Sequence, residues 1–333
     1  MSKRIYVERS VSEHPRTRAV LARFPRAAVI EIDRYGEVFN RRNQNFRLQK
    51  KQPALILADK FSSRVLPTPP GYGIGGENNF YFSHLLNCVY DCRYCFLQGM
   101  YRSANYVLFV NYEDFFDDIE TQLARGPDQD HYFFSGYDCD SLAMESLTGF
   151  VSAALPFFRD RPRAWLELRT KSVQIRPLVD SEPFKNCVVA YSLTPDTVAR
   201  AVEHKAPPGS RRIDAMAKLA EKGWSIGLRF DPLIHGAHWM DSYRRLFDDV
   251  FAAVPRRQIH SVSYGPLRFP KKMYKDIVNL YPEEALFAGA MDLQDGMVAY
   301  PDGVESEMAA YCSEQLREYL DDSIFFQCLP EVR

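Results

Sequence analysis

Asn87-Cys88-Val89-Tyr90-Asp91-Cys92-Arg93-Tyr94-Cys95-Phe96-Leu97-Gln98 sets three cysteines at the spacing C-x₃-C-x₂-C. Three thiolates so placed can take three corners of an iron–sulfur cubane and leave the fourth iron open to a substrate or cofactor. No Cys or His follows at zinc-finger spacing, which disfavours a closed tetrahedral zinc site. The plain alternative is a structural metal with no catalysis. The chain has seven cysteines, and the other four, Cys139, Cys187, Cys312 and Cys328, are scattered. A clustered trio in a long chain points to metal and a reducing compartment, not to a disulfide scaffold. A cytoplasmic protein is expected. Cys187, Cys312 and Cys328 read as buried apolar residues.

Working outward, short apolar stretches alternate with helical patterns. Expected strands are Asn79–Ser83, His131–Ser135, Trp165–Arg169, Cys187–Ser192, Ser225–Phe230 and Gln258–Tyr264. Expected helices are Tyr112–Ala124, Ser141–Phe158, Asp196–Glu203, Arg211–Lys222 and Met240–Ala253, with Gly223 as a helix stop. Repeated βα units predict an α/β fold in which a parallel sheet curls into a partial TIM-like (β/α)₆ barrel. Chemistry in such folds gathers at the carboxyl ends of the strands. The loop Pro67–Gly76, rich in Pro and Gly, reads as a junction. The expected partition is an N-terminal extension over 1–76, the barrel over 77–280 and a short C-terminal segment over 281–333. At 333 residues the chain can bury a substantial core. It shows no run of 18 apolar residues and no apolar stretch at Met1-Ser2-Lys3-Arg4-Ile5-Tyr6, so neither a membrane span nor a secretory signal is expected.

The C-x₃-C-x-aromatic-C loop after the first barrel strand resembles the signature of the radical S-adenosylmethionine (SAM) superfamily. That resemblance implies a [4Fe–4S] cluster on Cys88, Cys92 and Cys95, with SAM chelated by the open iron and cleaved to methionine and a 5′-deoxyadenosyl radical. It also implies an external electron donor such as a flavodoxin or ferredoxin. Asn87–Met100, Ser103–Phe115, Asp140-Ser141-Leu142, Leu147-Thr148-Gly149, Leu166-Glu167-Leu168-Arg169-Thr170-Lys171-Ser172, Gly227-Leu228-Arg229-Phe230-Asp231-Pro232 and Gly265-Pro266-Leu267-Arg268-Phe269-Pro270 are similar to the spore photoproduct lyase family of DNA repair enzymes. This similarity runs in order over roughly residues 80–280. It implies reversal of a thymine dimer lesion to two thymines.

Carried over by position, Lys171 matches a lysine that holds the SAM carboxylate, and Ser192 a serine that contacts SAM. An exposed lysine and a serine bonding its own backbone are the plain alternatives. The family's hydrogen-donating cysteine falls on Tyr137, and Cys139 takes a position where the family has a small hydroxyl residue near SAM. Residues two apart on an extended segment share a face, so Cys139 reads either as a displaced hydrogen donor or as a residue packed beside SAM. The family flanks its third cluster cysteine with two tyrosines. Tyr94 keeps the first, for radical transfer or for packing on the adenine ring, whereas Phe96 lacks the second hydroxyl. Two other readings stay open: a radical SAM enzyme acting on another nucleic acid or small substrate, and a non-catalytic iron–sulfur DNA-binding protein.

The net charge is −1, which leaves DNA binding to local patches. Candidates are the run Arg41–Lys51, with five cations, no acid and an interleaved Phe46, then Arg211-Arg212, Arg256-Arg257, and Arg268 with Lys271, Lys272 and Lys275. The first suits an arm that contacts a nucleic-acid strand; solvated surface charge is the ordinary alternative for each.

Overall fold

The computed structural model describes residues 4–327. Its larger sheet contains six parallel strands, β1 Asn78–Phe82, β2 His131–Ser135, β3 Ala164–Thr170, β4 Cys187–Ser192, β5 Ser225–Leu233 and β6 Ile259–Pro266, in sequential order. Each reads as a run of apolar or alternating residues because helices cover one face and the barrel interior the other. Val65–Pro67 pairs antiparallel at one edge and Phe325–Gln327 parallel at the other, so the barrel stays open. Helices α1 Tyr112–Leu123, α2 Phe150–Arg159, α3 Gly209–Lys222 and α4 Trp239–Ala253 lie in the crossovers. This is the expected partial barrel. α3 ends at Gly223, whose φ of 102° closes the helix as its position predicts.

Two expected helices differ. The stretch Ser141–Phe158 is broken: Glu145–Thr148 is a single turn, and α2 starts only after Gly149, held at φ 59°. The Glu145 carboxylate accepts the Val151 and Ser152 N–H groups, capping α2 from inside the bend. The helix beginning at Asp196 stops at Val202, one residue before Glu203, which turns into extended backbone.

Residues before the barrel form a second sheet. Ala28–Ile32, Arg4–Glu8, Leu55–Ala58 and Tyr106–Phe109 run parallel in that spatial order, closed by antiparallel Leu85–Leu86. Two of these strands come from beyond residue 77, so the N-terminal sheet and the barrel share chain around the cysteine loop. Pro67–Gly76, expected as a junction, instead enters the barrel. Ile74 packs against Phe134, Trp165 and Val188, with Tyr72 and Phe326 beside them. At Gly76 a Cβ would come within 2.0 Å of the Tyr132 ring, so only glycine lets the backbone pass. Cys187 and Cys312 are fully buried, as read from sequence; Cys328 lies outside the described residues. Among these residues no helix is long and apolar enough to cross a membrane.

Candidate functional site

Alternate residues of a strand face one side, and on the barrel's inner side Glu167, Arg169, Arg229 and Asp231 build a polar column. Arg229 Nη2 donates to Glu167 Oε2 at 2.7 Å and to Ser261 Oγ at 2.9 Å; Arg169 meets Glu167 at 3.1 Å and Asp231 at 3.5 Å. Burial raises the Glu167 carboxyl, but Arg229 and Arg169 outweigh it and leave the group below its usual range. The column ends at Arg169 and Asp231, in the wall of a cavity of about 340 Å³ at the carboxyl ends of the strands.

The three clustered cysteines line this cavity, as do Tyr94, Tyr137, Cys139, Lys171 and Ser192. Every candidate site residue read from the sequence is therefore brought to one place. Their positions have local causes. Asn87 adopts φ 70°, a conformation asparagine tolerates, and its side-chain amide donates to the Ser103 and Asn105 carbonyls at 2.8 and 2.7 Å. Cys88 thus leaves a fixed corner. Cys92 bridges antiparallel to Glu203, and Arg93 N–H donates to the Val202 carbonyl at 2.8 Å. Asp140, past β2, accepts the Thr170 hydroxyl at 2.7 Å and the Lys171 N–H at 2.6 Å, along with the N–H groups of Leu142 and Ala143. This carboxylate ties the Cys139 loop to the end of β3.

Burial pushes the Cys88 and Cys95 thiols up and takes Cys92 to about 12. The Lys171 ammonium partly offsets this at Cys92 and Cys95, and a bound iron cluster would take up the thiolate charge. All three are free. Among the described residues no three His, Cys, Asp or Glu side chains gather as ligands of one ion; the cysteines of a cubane stand further apart than those of a single zinc. Burial lowers the Lys171 ammonium, but the Cys92 and Glu203 charges outweigh it and hold it above its ordinary value. Its Nζ lies 5.4 Å from the Tyr94 ring centroid.

The Cys139 thiol is buried, faces the Leu85 N–H, and is raised by burial and by Asp140 and Asp138. Tyr137 meets Phe96 at 5.7 Å, giving the cavity one aromatic wall, and is backed by Tyr81, on which it stacks at 4.2 Å. The Tyr94 hydroxyl donates to Glu203, which also accepts from Arg212.

The basic patches need correction. Phe46 is buried at the start of a short helix, Phe46–Lys51, capped by Asn45. Lys50 ion-pairs Asp91 and donates to Gln98 Oε1 at 2.7 Å, so it braces the cysteine loop instead of facing a strand. Arg212 is fully buried against Glu203. Arg256 and Arg257 precede β6, at the barrel end opposite the cavity. Arg268 lines the cavity, with Lys271 and Lys275 exposed nearby and Lys272 paired to Asp276 at 2.7 Å. Glu203 escaped the sequence reading altogether. Its only signal was an acid ending an apolar helix pattern, which surface charge produces equally often.

The family model for spore photoproduct lyase matches residues 81–301. Among curated proteins, spore photoproduct lyase of Bacillus subtilis (strain 168) is 26% identical over 202 residues, 60% of this chain and 59% of that protein. Spore photoproduct lyase of Geobacillus sp. (strain Y412MC61) is 23% identical over 207 residues, with the same coverage of 60% and 59%. The alignments thus span 59% of the length of these relatives. A solved spore photoproduct lyase variant with bound AdoMet and dinucleoside spore photoproduct superposes with TM-score 0.82 over 98% of both chains at 17% identity, a likeness of fold.

Proposed function

The chain belongs to the spore photoproduct lyase family, and on that premise we propose that it is a radical SAM enzyme that reverses a thymine dimer lesion in DNA. The observation that carries this reading is the convergence of Cys88, Cys92, Cys95, Lys171, Ser192 and Cys139 on one cavity at the strand ends. The printed description of the solved relative, with AdoMet and dinucleoside spore photoproduct bound, supports the same pair of ligands here.

Cys88, Cys92 and Cys95 would hold a [4Fe–4S] cluster, which supplies the electron that cleaves SAM to methionine and a 5′-deoxyadenosyl radical. Lys171 pairs with the SAM carboxylate by a charge-assisted hydrogen bond, and the Ser192 hydroxyl adds a second polar contact. The aromatic wall of Phe96 and Tyr137 keeps water from the radical and offers flat faces to thymine rings. Once the 5′-deoxyadenosyl radical has taken a hydrogen atom from the lesion and the bond between the two bases has broken, Cys139 gives its thiol hydrogen atom to the resulting thymine radical: the S–H bond breaks, a C–H bond forms and the unpaired electron moves to the Cys139 sulfur. Because the Tyr94 hydroxyl is committed to Glu203, Tyr94 offers the cavity its ring, which favours packing over hydrogen relay.

A second reading, another nucleic-acid lesion, draws on Tyr137. Its ring fills the wall where the family resemblance implies a donor thiol. Anaerobically reconstituted, reduced protein incubated with SAM and an oligonucleotide containing the spore photoproduct should restore two intact thymines within the strand. SAM cleavage without restored thymines would transfer the assignment to the second reading.

A further inference from the structure

Phe61 is the most exposed of the large apolar side chains among the described residues, at 71%. It follows the carboxyl end of Leu55–Ala58, a central strand of the N-terminal parallel sheet, where open α/β sheets bind their ligands. The Arg34 guanidinium, from the turn after Ala28–Ile32, lies 5.4 Å from the Phe61 ring centroid. Lone exposed apolar residues are common, but this one is held in place. Arg64 donates to the Lys60 and Phe61 carbonyls at 3.2 and 3.1 Å and is itself anchored on Asp118 at 2.9 Å. The Asn111 side chain accepts the Lys60 N–H at 3.0 Å. Ser63 takes φ 55°, left-handed backbone that few non-glycine residues adopt, which turns the chain sharply just after Phe61.

Lys60 joins this loop to the cavity. Its ammonium, half-buried, stands 5.0 Å from the Phe109 ring centroid and faces Asp138, with no carboxylate within salt-bridge distance among the described residues. Asp138 sits between Tyr137 and Cys139 of the cavity wall and accepts the Ser83 hydroxyl at 2.7 Å. The lip of the N-terminal sheet and the rim of the barrel are thus neighbours. A rigid aromatic face with two cations that lack ion-pair partners matches what sequence-tolerant nucleic-acid binders use: stacking for a base and positive charge for its phosphates.

We propose that Phe61, with Arg34 and Lys60, forms a stacking platform that holds an unpaired nucleotide of the strand entering the cavity. This rests on the nucleic-acid reading above and supplies the exposed aromatic that buried Phe46 does not. The test is anisotropy of a labelled single-stranded oligothymidylate on the reconstituted enzyme. Phe61→Ala should weaken binding about tenfold, the loss of one stacked base, and Phe61→Trp should restore it. Arg34→Met and Lys60→Met should each reduce the salt slope by about 0.7. SAM cleavage without DNA should be unchanged in all four variants. Wild-type affinity in Phe61→Ala, or a loss that Phe61→Trp does not restore, overturns the platform and leaves the nucleic-acid reading standing. A wild-type enzyme that binds no oligonucleotide overturns both.

Discussion

Tyr94 and Glu203, 109 residues apart in the chain, are joined by a buried hydrogen bond from phenol to carboxylate. The same carboxylate takes a hydrogen bond from buried Arg212, and its backbone pairs with Cys92. Glu203 therefore ties the cysteine loop to α3. Burial raises its carboxyl, but Lys171 and Arg212 outweigh that and hold it charged.

Glu203→Ala strands the Arg212 guanidinium in the interior. It should cost about 3–5 kcal/mol in urea unfolding, with Glu203→Gln costing less because its amide oxygen can still accept from Arg212. A loss below about 1 kcal/mol for the alanine variant would remove Glu203 as an anchor.

The cluster assignment requires iron. Reconstituted wild-type protein should be brown, oxygen-sensitive and carry about four irons, and Cys88→Ala, Cys92→Ala or Cys95→Ala should each lose the cluster. Uptake of zinc with no iron under anaerobic reconstitution would overturn the assignment.

For Lys171 the expected defect is in the cofactor alone. Lys171→Ala should keep its iron and bind SAM about 1.5–3 kcal/mol more weakly, the loss of one charge-assisted contact. Equilibrium binding at low and moderate salt decides this; equal affinity would take Lys171 out of the SAM site.

Cys139→Ala should still cleave SAM yet yield aberrant adducts in the strand in place of restored thymines, since a phenol such as Tyr137 is a poorer hydrogen donor to a carbon radical. Chromatography of the products separates the two readings of this residue. Normal product at normal rate would leave Cys139 as packing beside SAM.

The Arg41–Lys51 run can be tested for how many of its cations reach phosphate. With Lys50 committed to Asp91, neutralising Arg47, Lys50 and Lys51 together should lower the salt slope of DNA binding by about two counterions' worth, not three. Lys50→Ala alone should leave the slope as it is and make the cluster easier to lose. A full unit of slope lost in Lys50→Ala would return this lysine to the phosphate-binding surface.

What the sequence by itself determined is local. The six barrel strands were legible because each is a short apolar run bounded by turn residues, and the cluster loop because its three cysteines are neighbours in the chain. Strand-end position was enough to bring Lys171, Ser192, Tyr137 and Cys139 to the same cavity. What only the tertiary structure decided was the partner of each charge. Arg212 reads as half of a surface pair yet lies buried on Glu203, and Lys50 reads as one cation of an arm yet braces Asp91. The N-terminal sheet was equally hidden, because Tyr106–Phe109 and Leu85–Leu86 join it from beyond its own segment. Periodicity records which face of an element is apolar; an ion pair or a parallel strand pairing depends on which distant segment folding brings alongside, and no local pattern encodes that.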